Sequence, residues 1–222
     1  EELGAMGGKP VPTQTPEFRA WFKDSKVVDT QGKPLVVYHG SPAEFTEFDT
    51  SKIRTLGTSE GKGFYFTSNP KRAEGYKQEG GKLYQVHLSI KKPMELLDRK
   101  ITDTQLRNIF IELLKSDSDV LSNYGDIEFD GKNAVLNEAV KIEKESDSDI
   151  DLMASMINGG TSTHENIAKA FIKVTGYDGV ITDWRADESG KIDKVYVAFL
   201  PNQIKDISNT RPTSSPNILM SP

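Results

Sequence analysis

The sequence predicts an α+β fold, because strand-like runs lie at both ends of the chain and a long helical stretch separates them. Residues 83–90, LYQVHLSI, alternate strictly, so Tyr84, Val86, Leu88 and Ile90 share one face as in a strand. Residues 102–158 are instead charged, poor in glycine at first and helical in period. Strands gathered on either side of helices fit α+β better than the regular strand–helix alternation of a parallel sheet.

In chain order, Pro16 to Phe22 reads as a short amphipathic helix with Phe18, Trp21 and Phe22 inward. PLVVY (34–38) reads as a buried strand that ends at HGSP (39–42), where glycine and proline force a turn. GKGFYFT (61–67) is a glycine-flanked aromatic strand, broken by Asn69 and Pro70, and Lys71 to Gln78 reads as a short helix. In the 83–90 strand His87 falls with Gln85 and Ser89 on the more polar, solvated face. Met94 to Leu97 continues the sheet after Pro93. Thr102 to Gln105 is a capping box for a helix carrying Leu106, Ile109, Phe110, Leu113 and Leu114. A second box, Ser162 to Glu165, opens a helix with Ile167, Ala170, Phe171 and Val174 inward and Gly176 as its stop. His164 is expected to be exposed in that first turn. GVIT (179–182) and KVYVAFL (194–200) are the closing strands, joined by the polar loop DWRADESGKID (183–193).

With 222 residues the chain fits one domain, or one domain with a sizeable insertion. Net charge is −5 and the basic residues are dispersed, which argues against a face that tracks phosphates. Cysteine is absent, which excludes disulfides, thiolate metal sites and cysteine nucleophiles. No run approaches the roughly 18 apolar residues of a membrane helix, and no signal-peptide pattern opens the chain. Residues 1–15 are expected to be a disordered or tag-derived leader, 16–208 the folded domain with a helical insertion at about 102–158, and 209–222 a linker-like tail rich in Pro and Ser.

Two segments carry chemistry. VYHGS (37–41) delivers His39 at a strand end, where it can hydrogen-bond a sugar hydroxyl, beside Gly40, whose backbone can pair with a small amide. GKGFYFT and the following helix supply Tyr65 and Tyr76, two rings suited to sandwich a flat cationic ring by stacking and cation–π attraction, each worth about 1 kcal/mol. The same residues also suit a structural histidine and core aromatics.

VVYHGS followed by GKGFYFTSNPKRAEGY resembles the first two signature motifs of the diphtheria-toxin-like and poly(ADP-ribose) polymerase-like ADP-ribosyltransferases. From TPEFRAWFKDSKVVDTQGKPLVVYHG through GYDGVI to VYVAFLPNQIKDI and PNIL, the chain more closely resembles the ADP-ribosyltransferase domains of phage-borne and mobile-element polyvalent proteins. The resemblance implies a split β-sheet fold with NAD as substrate, folded across the cleft, and no metal. His39 would hold the ribose, Gly40 and Ser41 would lie at the carboxamide, and Tyr65 and Tyr76 would flank nicotinamide. Ala73 occupies the place where relatives often have an amide-binding serine, with Ser68 as a substitute.

Relatives often carry a ribose-binding glutamate in the third motif. Aligning on Phe199, Pro201, Gln203, Ile204 and Lys205 places Val195 there, and a His-Tyr-Val triad accompanies single transfer or inactivity. Asp193, Asp187 and Glu188 are the nearby carboxylates, and any of them, Asp193 and Glu188 foremost, could supply the catalytic acid group if the loop folds over the cleft; solvated loop charges are the plainer reading. The resemblance thus implies a mono-ADP-ribosyltransferase acting on a macromolecular acceptor, protein rather than nucleic acid, as a toxin or effector in the cytoplasm of a bacterium or host cell. The expected form is a monomeric domain of a longer chain, away from membranes. NAD hydrolysis, or an inactive NAD or ADP-ribose reader or interaction module, is the alternative.

Overall fold

The computed structural model describes residues 11–53, 62–186, 190 and 192–219, so the first ten residues of the expected leader lie outside the described residues. Pro12–Gln14 form a single 3-10 turn, and Thr15 Oγ1 then accepts the Phe18 N–H at 3.1 Å to cap α1 (Pro16–Phe22). β1 (Val37–Ser41), β2 (Phe64–Thr67), α2 (Pro70–Gly75), β3 (Lys82–Leu88) and β4 (Pro93–Met94) follow. The helical stretch holds α3 (Asp103–Leu113), α4 (Ile127–Asp130), α5 (Lys132–Glu143) and α6 (Asp149–Asn158). α7 (His164–Thr175), β5 (Gly179–Ala186), β6 (Ile192–Ala198) and β7 (Ile204–Asp206) complete the chain.

Helix ends follow the capping chemistry. α3 has the full box of Thr102 with Gln105. α7 begins one residue later than its box suggests, with Thr163 Oγ1 accepting the Asn166 N–H at 3.2 Å. It stops at Gly176, whose φ of +78° is the left-handed conformation that glycine adopts without strain.

The strands form one sheet in the order β4-β5-β6-β2-β1-β3-β7, antiparallel except for β4 beside β5. Its continuity narrows sharply at one seam. β1 and β3 pair from Val37–Val86 through Ser41–Lys82, whereas β1 and β2 share the pair Tyr38–Thr67. Alternate residues of the sheet enter two cores. Val195 and Val197 join Leu106, Phe110, Ile167 and Phe171 on the helical side. Tyr196 and Ala198 join Val37, Phe66, Tyr84 and Ile204 on the other. The helices of 103–158 are therefore not an appendage: they share one apolar core with the sheet.

Two expectations need correction. His87 is buried, because α1 covers the second face of β3: the Phe18 and Phe22 rings stand edge-on to it, and its Nδ1 lies 3.0 Å from the Leu35 carbonyl. His164 is buried too, with Nε2 at 2.9 Å from the Phe199 carbonyl. Local pattern gives the faces of an element but not what packs on them.

The tail, expected to be linker-like, is anchored to the domain over residues 209–219. Lys205 Nζ donates to the carbonyls of Ser215 and Asn217, Ile218 N–H bonds the Thr46 carbonyl at 2.9 Å, and the Ile218 side chain enters the core. Desolvation lowers the Lys205 ammonium to about 8.

Burial lowers the pKa of all three histidines, His39, His87 and His164, from 6.5. The unfolded chain therefore takes up protons first as pH falls, so this stability is present above pH 6.5 and is lost below it. Denaturant titrations at successive pH values from 7.5 to 5.5 should show falling stability, with a limiting slope of about 1.4 kcal/mol per pH unit for each histidine. A flat profile over that window would mean that the imidazoles remain hydrated.

Candidate functional site

The seam between β1 and β2 brings the two chemistry-bearing segments together. Extending the register of Tyr38 with Thr67 by two residues would set Gly40 opposite Tyr65, but the ladder does not extend there. The Tyr65 carbonyl instead lies 2.7 Å from His39 Nδ1. A carbonyl can only accept, so Nδ1 carries the proton, and in the neutral ring Nε2 is left as an acceptor. Burial favours that neutral form, overriding the opposite effect of the Tyr65 bond. The ring is held by Phe45, Phe48, Phe66 and Tyr84, with centroids 5.1–6.4 Å away. His39 is thus a half-buried hydrogen-bond acceptor of fixed orientation, not a mobile base.

Beside it, Gly40 is where α2 meets the sheet. A Cβ on Gly40 would stand 1.8 Å from the Ala73 carbonyl oxygen, so only glycine permits this approach. Ala73 itself is 1% exposed, and it is its backbone carbonyl that faces Gly40. Tyr76 ends α2 and is 66% exposed, its ring open to a partner. Ser41 is buried, and its Oγ accepts the Ala43 N–H at 3.1 Å. Ser68 Oγ accepts the Lys194 N–H at 3.2 Å, which commits it to the β2–β6 junction.

The third-motif strand lies next to β2, in register from Phe64–Ala198 to Thr67–Val195. Tyr65 therefore pairs with Val197, and Val195 is its diagonal neighbour on the same face. Val195 is 6% exposed and belongs to the helical-side core. Asp193 shares that strand but is buried, with both oxygens near Asn69 Nδ2, at 3.2 and 3.0 Å, and Oδ2 3.5 Å from Arg72 Nη2. Glu188 and Asp187 lie outside the described residues. Among the described residues no three His, Asp or Glu side chains converge as metal ligands, and no helix is long and apolar enough to cross a membrane.

Sequence reasoning did not single out Asn69 as part of the site. Its Oδ1 accepts the Lys71 and Arg72 N–H groups at 3.0 and 3.4 Å, so it caps α2 while its amide nitrogen reaches Asp193. An asparagine directly before proline at a helix start was the available signal. The aromatic cage of His39 was not legible, since Phe45 and Phe48 come from the loop after β1 and Tyr84 from β3. A cleft of about 670 Å³ also opens nearby, lined by Phe48, Lys52, Glu165, Lys169 and Asn202 among others.

Comparison with known proteins gives one family. The model described as ADP-ribosyltransferase in polyvalent proteins matches residues 29–214, a span that includes every described element from β1 to β7. No curated protein and no solved structure matches the chain.

The seat of α2 on Gly40 is open to direct measurement. Gly40→Ala should force α2 away from β1 and cost about 1–3 kcal/mol, the usual penalty of overpacking. By calorimetry its thermal midpoint should fall several degrees below that of the parent. An unchanged midpoint would show that the helix does not need the close approach.

Proposed function

The chain belongs to the ADP-ribosyltransferases of polyvalent proteins, and from that premise we propose that it cleaves NAD and passes a single ADP-ribose to a macromolecular acceptor, a protein rather than a nucleic acid. The observation that carries this reading is the His39–Tyr65 bond, which fixes a neutral imidazole acceptor beside an interrupted strand edge at Gly40. His39 Nε2 accepts a hydrogen bond from a hydroxyl of the nicotinamide ribose. The Gly40 backbone pairs with the carboxamide, and Tyr65 and Tyr76 flank the ring.

In the reaction the N-glycosidic bond breaks and its electron pair leaves with nicotinamide, which departs neutral. Positive charge is left on ribose C1′ and O4′. A lone pair of the acceptor then forms the new bond to C1′, and the acceptor's proton passes to solvent. Such a step depends on positioning and electrostatic stabilisation more than on proton transfer.

Single transfer is favoured because Val195 holds the third-motif position, and a valine can neither activate an ADP-ribose hydroxyl nor bind one. The same residue favours a second reading, a weak or inactive enzyme that binds NAD or ADP-ribose, with hydrolysis as the intermediate case.

Labelled NAD separates these readings. Transfer places label on a macromolecule, hydrolysis releases free ADP-ribose, and a reader does neither. His39→Ala should lower turnover roughly ten- to a thousand-fold through the loss of a positioning group, while the fold survives. Parent-like turnover in that variant, or long ADP-ribose chains from the parent, would overturn the reading.

Val195→Glu tests the third position. A carboxylate here enters a packed face, so the free protein should melt at lower temperature. With NAD bound it would face the developing ribose charge, and nicotinamide release should rise roughly tenfold or more. Unchanged release at unchanged NAD affinity would remove Val195 from the ribose site.

A further inference from the structure

We propose that Asp193 is a positioning residue: its buried carboxylate fastens α2 to β6 through Asn69 and Arg72 and so sets Tyr76 against the His39–Tyr65 seam. This rests on the functional reading above for the role of Tyr76. In sequence, Asp193 is an obvious candidate for a reacting carboxylate, since it stands two residues from the third-motif position. The geometry assigns it differently. Its side chain is 4% exposed, and both oxygens are engaged, at 3.2 and 3.0 Å from Asn69 Nδ2, with Arg72 Nη2 at 3.5 Å from Oδ2. A carboxylate enclosed in this way has little surface left for a ribose or an acceptor.

The need for such a fastening follows from the size of α2. A helix of six residues has no stability of its own in water, because nucleation is unfavourable and too few bonds follow it. Its place is therefore set by what holds it. Ala73 rests on Gly40 from one side. At the other end Asn69 caps Lys71 and Arg72 and is itself gripped by Asp193. Ser68 reinforces the same point, its N–H bonding the Lys194 carbonyl at 3.2 Å and its Oγ accepting the Lys194 N–H at 3.2 Å. Tyr76 follows directly at the helix end, with its N–H on the Ala73 carbonyl at 3.1 Å. Any tilt of α2 is thus carried to the exposed ring.

The test uses the whole chain, with NAD as ligand, in four variants: Asp193→Ala, Asp193→Asn, Asn69→Ala and the double Asn69→Ala, Asp193→Ala. Nicotinamide release gives kcat and KM, and backbone amide exchange reports on residues 70–77. Asn69→Ala and Asp193→Ala should each raise KM about 10- to 30-fold, as loss of pre-positioning does. Their kcat should stay within about threefold of the parent, and the double variant should be no worse than either single one. Exchange at 70–77 should quicken. Asp193→Asn, which retains an acceptor oxygen for Asn69, should recover most of the loss.

A kcat collapse in both Asp193 variants but not in Asn69→Ala would make Asp193 a reacting acid and overturn the proposal. A lower melting temperature with unchanged KM and unchanged exchange would overturn it equally. If the parent neither binds nor cleaves NAD, the functional reading fails, and exchange at 70–77 alone decides the fastening: quickening supports it, and parent-like exchange in both Asp193→Ala and Asn69→Ala refutes it.

Discussion

Where β1 and β2 part, the Tyr65 carbonyl lies 2.7 Å from His39 Nδ1. A backbone carbonyl is an obligatory acceptor, and just beyond the last β1–β2 pair the side chain of His39 supplies its donor. Much else follows from that substitution. The bond fixes the tautomer, leaving Nε2 as an acceptor, and the surrounding rings fix the plane. Because the ladder has stopped, the strand edge at Gly40 is not consumed by β2. One interruption in the ladder thus leaves an oriented imidazole beside a strand edge that β2 does not cover.

The same region shows why residue 40 is glycine. α2 can approach β1 only because residue 40 lacks a Cβ, which would run into the Ala73 carbonyl. Further out, Gln203 joins three elements at once. Its Oε1 accepts the Phe199 and Leu200 N–H groups, and its Nε2 donates to the Ser89 and Asp178 carbonyls. All of its ordinary bonding capacity is used inside the protein, which ties the chain after β6 to the segments that follow β3 and precede β5.

Much of this was legible in the sequence. Strict alternation gave β3 and the capping boxes gave α3 and α7, while the paired HG and GKG-aromatic segments pointed to His39, Gly40, Tyr65 and Tyr76 as candidates. What was not legible depended on contacts between distant segments. His87 reads as solvated because nothing near it in sequence reveals that α1 covers β3. The tail reads as a linker because its anchors are backbone carbonyls gripped by Lys205, which composition does not register. PNQIK served as an alignment landmark in sequence. In the fold, Gln203 and Lys205 explain that block as a set of internal ties rather than a ligand site.

The third-motif position shows how one substitution moves the burden of the chemistry. Val195 is in register with Thr67 and diagonal to Tyr65, so a carboxylate there would project from the face that carries the proposed nicotinamide partner. With valine in place, the nearest carboxylate on the strand is Asp193, and its oxygens are already occupied by Asn69 and Arg72. It cannot turn toward a ribose without releasing the cap of α2, and with it the ring of Tyr76. On the proposed reading, stabilisation of the ribose cation therefore falls to His39 and to the fixed backbone dipoles around Gly40. Those groups position a substrate well, but they offer no full negative charge to a cationic transition state. On the proposed reading, slow single transfer would follow from that electrostatic deficit.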